Sequence, residues 1–213
     1  MIAYIFANGP YQRGISSIIS EEKKGNLIIA ADGGAEHCRL LNITPHIIVG
    51  DLDSISAPLI EQYIQEGVEI IRHPARKDAT DLELAIDLAM TKGTDEVLLF
   101  GVLGGRWDMS LSSVMLAASK KYNRMVVSLL NAECRVQIIH GGTSFFLKGY
   151  QGQTASLIPI SEDVHGVTIK GFEYPLTNAS LPFGSSRGIS NILLKSRGSI
   201  TLKQGTLLYV QKR

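Results

Sequence analysis

Up to about residue 130, short β-branched apolar runs alternate with longer stretches of helical spacing, and this alternation restricts the fold more than any other feature of the chain. Such a pattern predicts βαβ units and a mostly parallel sheet. The expected strands are Ile2–Ala7, Leu27–Ala31, Ile47–Val49, Val68–Ile71, Val97–Phe100 and Met125–Leu130. The expected helices are Ser16–Lys24, Ala35–Leu41, Pro58–Gln65, Asp81–Lys92 and Leu111–Lys121. Within Asp81–Lys92, Leu82, Ala85, Ile86 and Ala89 fall on one face, as a helix packed on a sheet requires. After about Glu133 the helical periodicity stops. Cys134–His140, Ser144–Leu147, Thr154–Pro159, Val167–Ile169, Ile192–Ser196, Ser199–Leu202 and Thr206–Gln211 are short runs between Gly-rich or polar turns. They predict an all-β second domain, a sandwich or partial barrel. The expected division is an α/β domain over residues 1–132 and a β domain over residues 133–213.

A length of 213 residues admits one large domain or two small ones, and 45% hydrophobic with 19% charged residues is enough for a sizeable core. The net charge of +1, without a Lys/Arg block, gives no case for a nucleic-acid or membrane partner. Small-molecule chemistry is the better expectation. Cys38 and Cys134 lack the spacing of a zinc site or a disulfide framework and read as buried reduced thiols. The N-terminal run lacks a basic leader and no apolar stretch approaches a membrane span, so the expected location is cytoplasmic. Asn178-Ala179-Ser180 matches a glycosylation acceptor, which without a secretory signal reads as chance.

Acidic residues recur where the apolar runs end. Ile47-Ile48-Val49 leads into Gly50-Asp51-Leu52-Asp53-Ser54, and Leu27–Ala31 leads into Asp32-Gly33-Gly34. Val68–Ile71 leads to Lys77-Asp78-Ala79-Thr80-Asp81, and Val97–Phe100 to Gly104-Gly105-Arg106-Trp107-Asp108. One such ending is also what a turn and a helix N-cap would use. Their repetition favours ligand binding, because open α/β sheets bind ligands outside the carboxyl ends of their strands. Paired carboxylates beside a hydroxyl suit a hard cation, and Mg²⁺ is usually held by one or two carboxylates plus substrate phosphates. Thr80-x-x-Glu83 fits a capping box, a role compatible with phosphate binding at a helix N-terminus. The Gly101–Arg106 stretch lacks the spacing of the dinucleotide fingerprint and of the Walker loop. Its glycines still permit close backbone approach, and Arg106 offers a planar fork for phosphate.

These motifs, in this order and spacing, resemble the thiamine pyrophosphokinase family. The resemblance extends into the second half through Ala155–Ile160, Gly171-Phe172-Glu173-Tyr174-Pro175-Leu176 and Gly188-Ile189-Ser190-Asn191. It implies a Rossmann-like α/β domain that binds ATP and a C-terminal β-sandwich that binds thiamine. It further implies a homodimer with its sites at the subunit interface, and transfer of pyrophosphate from ATP to thiamine's primary hydroxyl with release of AMP. In that scheme Asp51, Asp53 and Asp81 are the expected Mg²⁺ ligands, with Asp32 and Asp78 as second choices. Asp32, Gly33, Lys77, Asp78, Thr80, Gly104, Gly105 and Arg106 are expected around the nucleotide, Lys77 and Arg106 on its phosphates. Asp108 is expected to orient Arg106 or to accept the hydroxyl proton, a helix N-cap before Leu111–Lys121 being its structural alternative. Tyr174, Ser190 and Asn191 are expected at thiamine, Tyr174 stacking on the cationic ring or else serving as an ordinary β-domain aromatic. Bacterial members commonly read Gly-Gly-Arg-x-Asp-His, whereas Met109 follows Asp108 here and can neither ionise nor donate. A pyrophosphokinase for another primary alcohol, such as a hydroxymethylpterin, would need the same Asp/Gly/Arg set, and a thiamine sensor without turnover the same β domain. A metal-dependent nucleotide-sugar transferase would share Asp-x-Asp but not the motifs at Thr80–Glu83 and Gly104–Asp108.

Overall fold

Ile2–Phe6 (β1) and Leu27–Ala31 (β2) are apolar throughout and buried at all but their first positions, the mark of strands covered on both faces. In the computed structural model, which describes residues 1–11, 14–20 and 26–213, the chain divides into two compact units, Met1–Ala132 and Glu133–Arg213. In the first unit β1 and β2 are joined by β3 (Ile47–Gly50), β4 (Glu69–Arg72), β5 (Glu96–Phe100) and β6 (Val126–Leu130). All the pairings among them are parallel, in the order β6-β5-β1-β2-β3-β4. The connecting helices are α1 (Ile15–Ser20), α2 (Gly34–Leu40), α3 (Ala57–Gln65), α4 (Asp81–Thr91) and α5 (Trp107–Ala117). Residues 21–24 of the expected first helix lie outside the described residues.

The strand order carries the functional consequence. From β1 the chain steps outward to β4, then restarts with β5 on the opposite side of β1. At such a reversal the connections leave the sheet in opposite directions and open a crevice at the strands' carboxyl ends. The core beneath it joins Tyr4, Phe6 and Phe100 with Ile48, Leu52 and Leu59, and the Phe6 and Phe100 rings stack at 5.1 Å.

Helix α5 departs from expectation. It starts at Trp107 rather than Leu111 and stops at Ala117, with Lys120–Tyr122 as a separate 3-10 turn. Its inner face consists of small residues, Ser110, Ser113 and Ala117, while Trp107, Leu111 and Met115 are exposed. Large apolar residues therefore mark the outer face of this helix, so its first turn gave no apolar signal at the sheet.

The second unit is all antiparallel. β14 (Thr206–Lys212) lies between β7 (Cys134–His140) and β9 (Thr154–Pro159), with the short β12 (Asn191–Ile192) on the far side of β9. A separate sheet runs β11-β10-β13-β8, formed by Leu176–Leu181, Val164–Lys170, Arg197–Leu202 and Thr143–Lys148. Leu157, Tyr209, Val167 and Ile200 bring both sheets into one apolar cluster. Of the expected strand Ile192–Ser196 only Ile192 is in a strand, the two-residue β12 beginning at Asn191. β11 escaped the sequence reading because only its ends, Leu176 and Leu181, are buried and its middle is polar. Among the described residues, no helix is long and apolar enough to cross a membrane.

Candidate active site

At the carboxyl end of β3 the chain folds back on itself through Gly50 (φ 152°) and Leu52 (φ 68°). A left-handed backbone costs a side-chain-bearing residue about 1–2 kcal/mol. Burial of the Leu52 side chain, only 5% exposed, offsets that cost and holds the turn down. The Asp53 N–H donates to Asp51 Oδ1 at 3.2 Å, and Ser54 Oγ donates to Asp53 Oδ1 at 2.9 Å. Beside this turn Asp32 ends β2 with φ 46°, its N–H donating to the Val49 carbonyl at 2.9 Å. Asp32, Asp51 and Asp53 each present an oxygen within 4.8 Å of the others. Asp32 is 8% exposed and its Oδ1 is buried with no hydrogen-bond donor. A buried carboxylate oxygen without a donor, among other carboxylates, is unfavourable unless a cation joins it.

Asp81 approaches from α4, whose N-cap Thr80 accepts the Glu83 N–H through Oγ1 at 3.2 Å, as the Thr-x-x-Glu spacing predicts. A Cβ on Gly50 would stand 3.0 Å from Asp32 Cβ and 3.2 Å from the Asp81 carboxylate, so glycine is what lets the two strand ends and the helix meet. Asp81 Oδ1 pairs with Lys77 Nζ at 3.0 Å, and the same ammonium stands 3.9 Å from Asp51 Oδ2. These groups border a cleft of about 340 Å³ with Asn8 and Thr80. An adjoining cleft of about 540 Å³ is bordered by Gly9, Gly101, Gly104, Gly105 and Arg106, and the two share Ala7, Asn8, Leu82 and Met109. Gly33 lies buried where a Cβ would overlap the Asn8 amide, while Asp78 is exposed and borders neither cleft.

Arg106 grips Asp108 with Nη2 at 2.6 Å and Nε at 3.2 Å. Because α5 begins at Trp107, Asp108 sits inside its first turn, and the alternative of an N-cap at Asp108 is corrected: the cap position is Arg106. Hydrogen bonding from Arg106 holds the Asp108 carboxyl below the usual range. The Gly-rich loop is pinned by Ser110, whose Oγ accepts the Gly104 N–H at 2.9 Å. Beside Gly101, His37 is buried, and burial lowers its pKa while a hydrogen bond to the Gly9 backbone opposes that shift. Asn8, His37 and Ser110 were not among the expected site residues. Asn8 alone had a sequence signal, its place just past the first apolar run.

In the second unit Tyr174, Ser190 and Asn191 come together around β12. Asn191 is buried and clamps the Tyr174 backbone, accepting its N–H at 3.0 Å and donating to its carbonyl at 2.8 Å. The Tyr174 side chain is 62% exposed, so it is a presented ring and not a core aromatic. Ser190 adopts φ 56° and its N–H donates to Ser156 Oγ at 3.0 Å. A wider depression of about 650 Å³, bordered by Asp163, His165 and Phe183, contains none of the three.

Residues 20–129 match the family model described as thiamin pyrophosphokinase, catalytic domain, and residues 145–207 match thiamin pyrophosphokinase, vitamin B1 binding domain. The thiamine pyrophosphokinase of Bacillus subtilis (strain 168) is 31% identical over 207 residues, spanning 97% of this chain and 96% of that one. Thiamine pyrophosphokinase 2 of Arabidopsis thaliana is 28% identical over 70% of this chain and 58% of its own. Among solved structures, that of the Bacillus subtilis thiamine pyrophosphokinase superposes with a TM-score of 0.87 at 28% identity, covering 100% of this chain and 99% of that one. The Geobacillus thermodenitrificans thiamin pyrophosphokinase gives 0.86 at 28% identity, covering 100% and 98%. Both matched models and the near-complete overlap with these relatives establish that the chain belongs to the thiamine pyrophosphokinase family.

Proposed function

We propose that this protein transfers pyrophosphate from ATP to thiamine, giving thiamine diphosphate and AMP. The observation that carries the reading is the carboxylate cluster at the sheet's reversal point, inside the segment that matches the family's catalytic domain. In this reading the first unit is a Rossmann-like ATP-binding domain and the second a β-sandwich that binds thiamine. The hydroxyl oxygen of thiamine attacks the β-phosphorus of ATP, the bond from that phosphorus to the α–β bridging oxygen breaks, AMP departs, and the hydroxyl proton is released to water. Such transfers depend mainly on positioning and charge neutralisation.

The donor set fits Mg²⁺, which takes oxygen ligands: Asp32, Asp51 and Asp53 converge, and the orphaned Asp32 Oδ1 lacks only a cation. These three would hold it, with Asp81 adjacent, and it would supply positive charge to offset that of the phosphates. Gly104 and Gly105 let the nucleotide approach the backbone, and Arg106 takes phosphate oxygens with its fork. Asp108, held ionised by Arg106, is a weak proton acceptor and serves to aim the guanidinium. Met109 supplies an apolar wall common to both clefts. Tyr174 stacks under the thiazolium, and Asn191 sets its backbone.

We further infer that the enzyme works in the cytoplasm as a homodimer with its sites at the subunit interface. The exposed Trp107, Leu111 and Met115, spaced four apart along α5, supply an apolar face of the kind that subunits cover. Incubation with ATP, Mg²⁺ and thiamine tests the activity: AMP and thiamine diphosphate should form in equal amounts. AMP without a thiamine product would indicate another acceptor, ADP would contradict pyrophosphoryl transfer, and thiamine binding without either nucleotide product would indicate a sensor.

A further inference from the structure

We propose that Lys77 is a built-in surrogate cation, which holds the acidic cluster against free divalent ions and yields to them when a polyphosphate arrives. The inference rests on the metal–ATP reading above. Asp32, Asp51 and Asp53 converge, Asp32, Asp51 and Asp81 border one cleft, and the Lys77 ammonium stands against Asp51 and Asp81. Its position is fixed from three sides. Nζ lies 3.0 Å from Asp81 Oδ1 and 3.9 Å from Asp51 Oδ2, and donates to the Pro74 carbonyl at 3.1 Å. Its side chain is only 15% exposed, so this is no solvated surface pair.

Asp51 is shared. It contributes an oxygen to the group formed with Asp32 and Asp53, and its Oδ2 stands 3.9 Å from the Lys77 ammonium. A divalent ion entering beside the orphaned Asp32 Oδ1 therefore shares Asp51 with an ammonium already in place, and the two cations repel. Lys77 relinquishes that contact at little cost only if another anion takes its charge. A lysine on a flexible four-carbon stem is suited to such a transfer, and phosphate is an anion it binds well as a point charge. The polyphosphate thus does two things: it draws the ammonium off Asp51 and Asp81, and it adds its own oxygens to the cation's shell. Metal and nucleotide then favour each other's binding by an equal factor, as linkage requires.

Binding of Mn²⁺ alone, without nucleotide, followed by electron paramagnetic resonance, isolates the lysine's part from turnover. Lys77→Met and Lys77→Gln, each confirmed as folded by thermal melting, should bind Mn²⁺ at least about tenfold more tightly than the wild type, within the usual range of coupling between sites. Lys77→Arg, which keeps the charge, should stay within about threefold of wild type, and so should Arg76→Met, which removes an exposed neighbouring charge. Equal Mn²⁺ affinity in wild type and both neutral variants would overturn the surrogate role and leave the metal reading standing. An equal gain in Arg76→Met would overturn it too, by reducing the effect to bulk charge. Absence of Mn²⁺ binding in all five proteins would overturn both this inference and the metal reading.

Discussion

Gly50→Ala should damage stability and activity together, and Gly67→Ala provides the measure of how much is specific to the site. Both glycines have positive φ, 152° at Gly50 and 81° at Gly67. A Cβ on Gly67 would meet nothing within 4 Å, so that substitution costs only the backbone penalty of about 1–2 kcal/mol. At Gly50 the Cβ would also meet Asp32 Cβ at 3.0 Å and the Asp81 carboxylate at 3.2 Å. Overpacking of this kind adds about 1–3 kcal/mol, so the total is roughly 2–5 kcal/mol. For a chain of this size the melting temperature should fall by about 2–4 °C per kcal/mol, giving roughly 2–8 °C for Gly67→Ala and 4–20 °C for Gly50→Ala. Relief of the contact pushes Asp32 and Asp81 by a few tenths of an ångström. Misplacement by 1 Å can cost about a hundredfold in rate, so Gly50→Ala should lose roughly tenfold in thiamine diphosphate formation below its melting range. Gly67→Ala should keep its turnover. Scanning calorimetry and a coupled AMP assay on the two variants decide the matter. Equal melting shifts with full turnover in Gly50→Ala would refute the claim that close approach at Gly50 builds the site.

Asp32→Asn keeps a side chain that tolerates the left-handed backbone and removes a buried charge without a donor; it should raise the melting temperature of the metal-free protein by about 2–4 °C while turnover falls by about a hundredfold or more. A lower melting temperature would show that Asp32 is not strained in the metal-free state. Tyr174→Ala should leave stability within about 0.5 kcal/mol, its ring being exposed, and raise the KM for thiamine, whereas Asn191→Ala should also cost about 1–3 kcal/mol in urea unfolding by stripping the Tyr174 backbone of its partners. His37 and His140 are both lowered by burial from 6.5, so below that pH the unfolded chain takes up protons first and stability falls as the solution is acidified towards the folded values. Urea titrations between about pH 7 and 5 should show that loss, and His37→Asn should flatten part of it; an unchanged slope would place the pH dependence elsewhere.

The parallel sheet of the first unit is legible because most of its strands are short apolar runs, and those of β2, β3 and β5 lead directly into Asp or Gly, a local pattern that needs no knowledge of the packing. Asp51 and Asp53 were legible for the same reason. Asp32 could be ranked beside them only in space, since its nearness depends on the pairing of β2 with β3 and on a left-handed turn that Asp-Gly-Gly permits but does not dictate. Asp81 and Lys77 were expected to act on metal and phosphate separately, and their ion pair follows from the path of the Arg72–Thr80 connection, which has no periodic signal. The start of α5 was misread because the helix turns its serines inward. Asn191 is legible as a residue beside the substrate, but the engagement of its amide on the backbone of Tyr174 is a pairing across seventeen residues that no local pattern displays.

Leu52 joins two parts of the molecule that are usually treated apart. Its side chain is a member of the same apolar cluster as Ile55, Leu59 and Tyr63, while its backbone forms the hinge between two carboxylates. The leucine acts as a peg, so the spacing of Asp51 and Asp53 is held by the burial of an apolar side chain as well as by the Asp53 N–H on Asp51 Oδ1. Loosening that cluster, by warming or by trimming Ile55 or Leu59, would let the turn relax towards an ordinary backbone and spread the carboxylates before the chain unfolds. Catalysis in this enzyme should therefore report on the condition of its interior, fading at temperatures where the secondary structure is still intact.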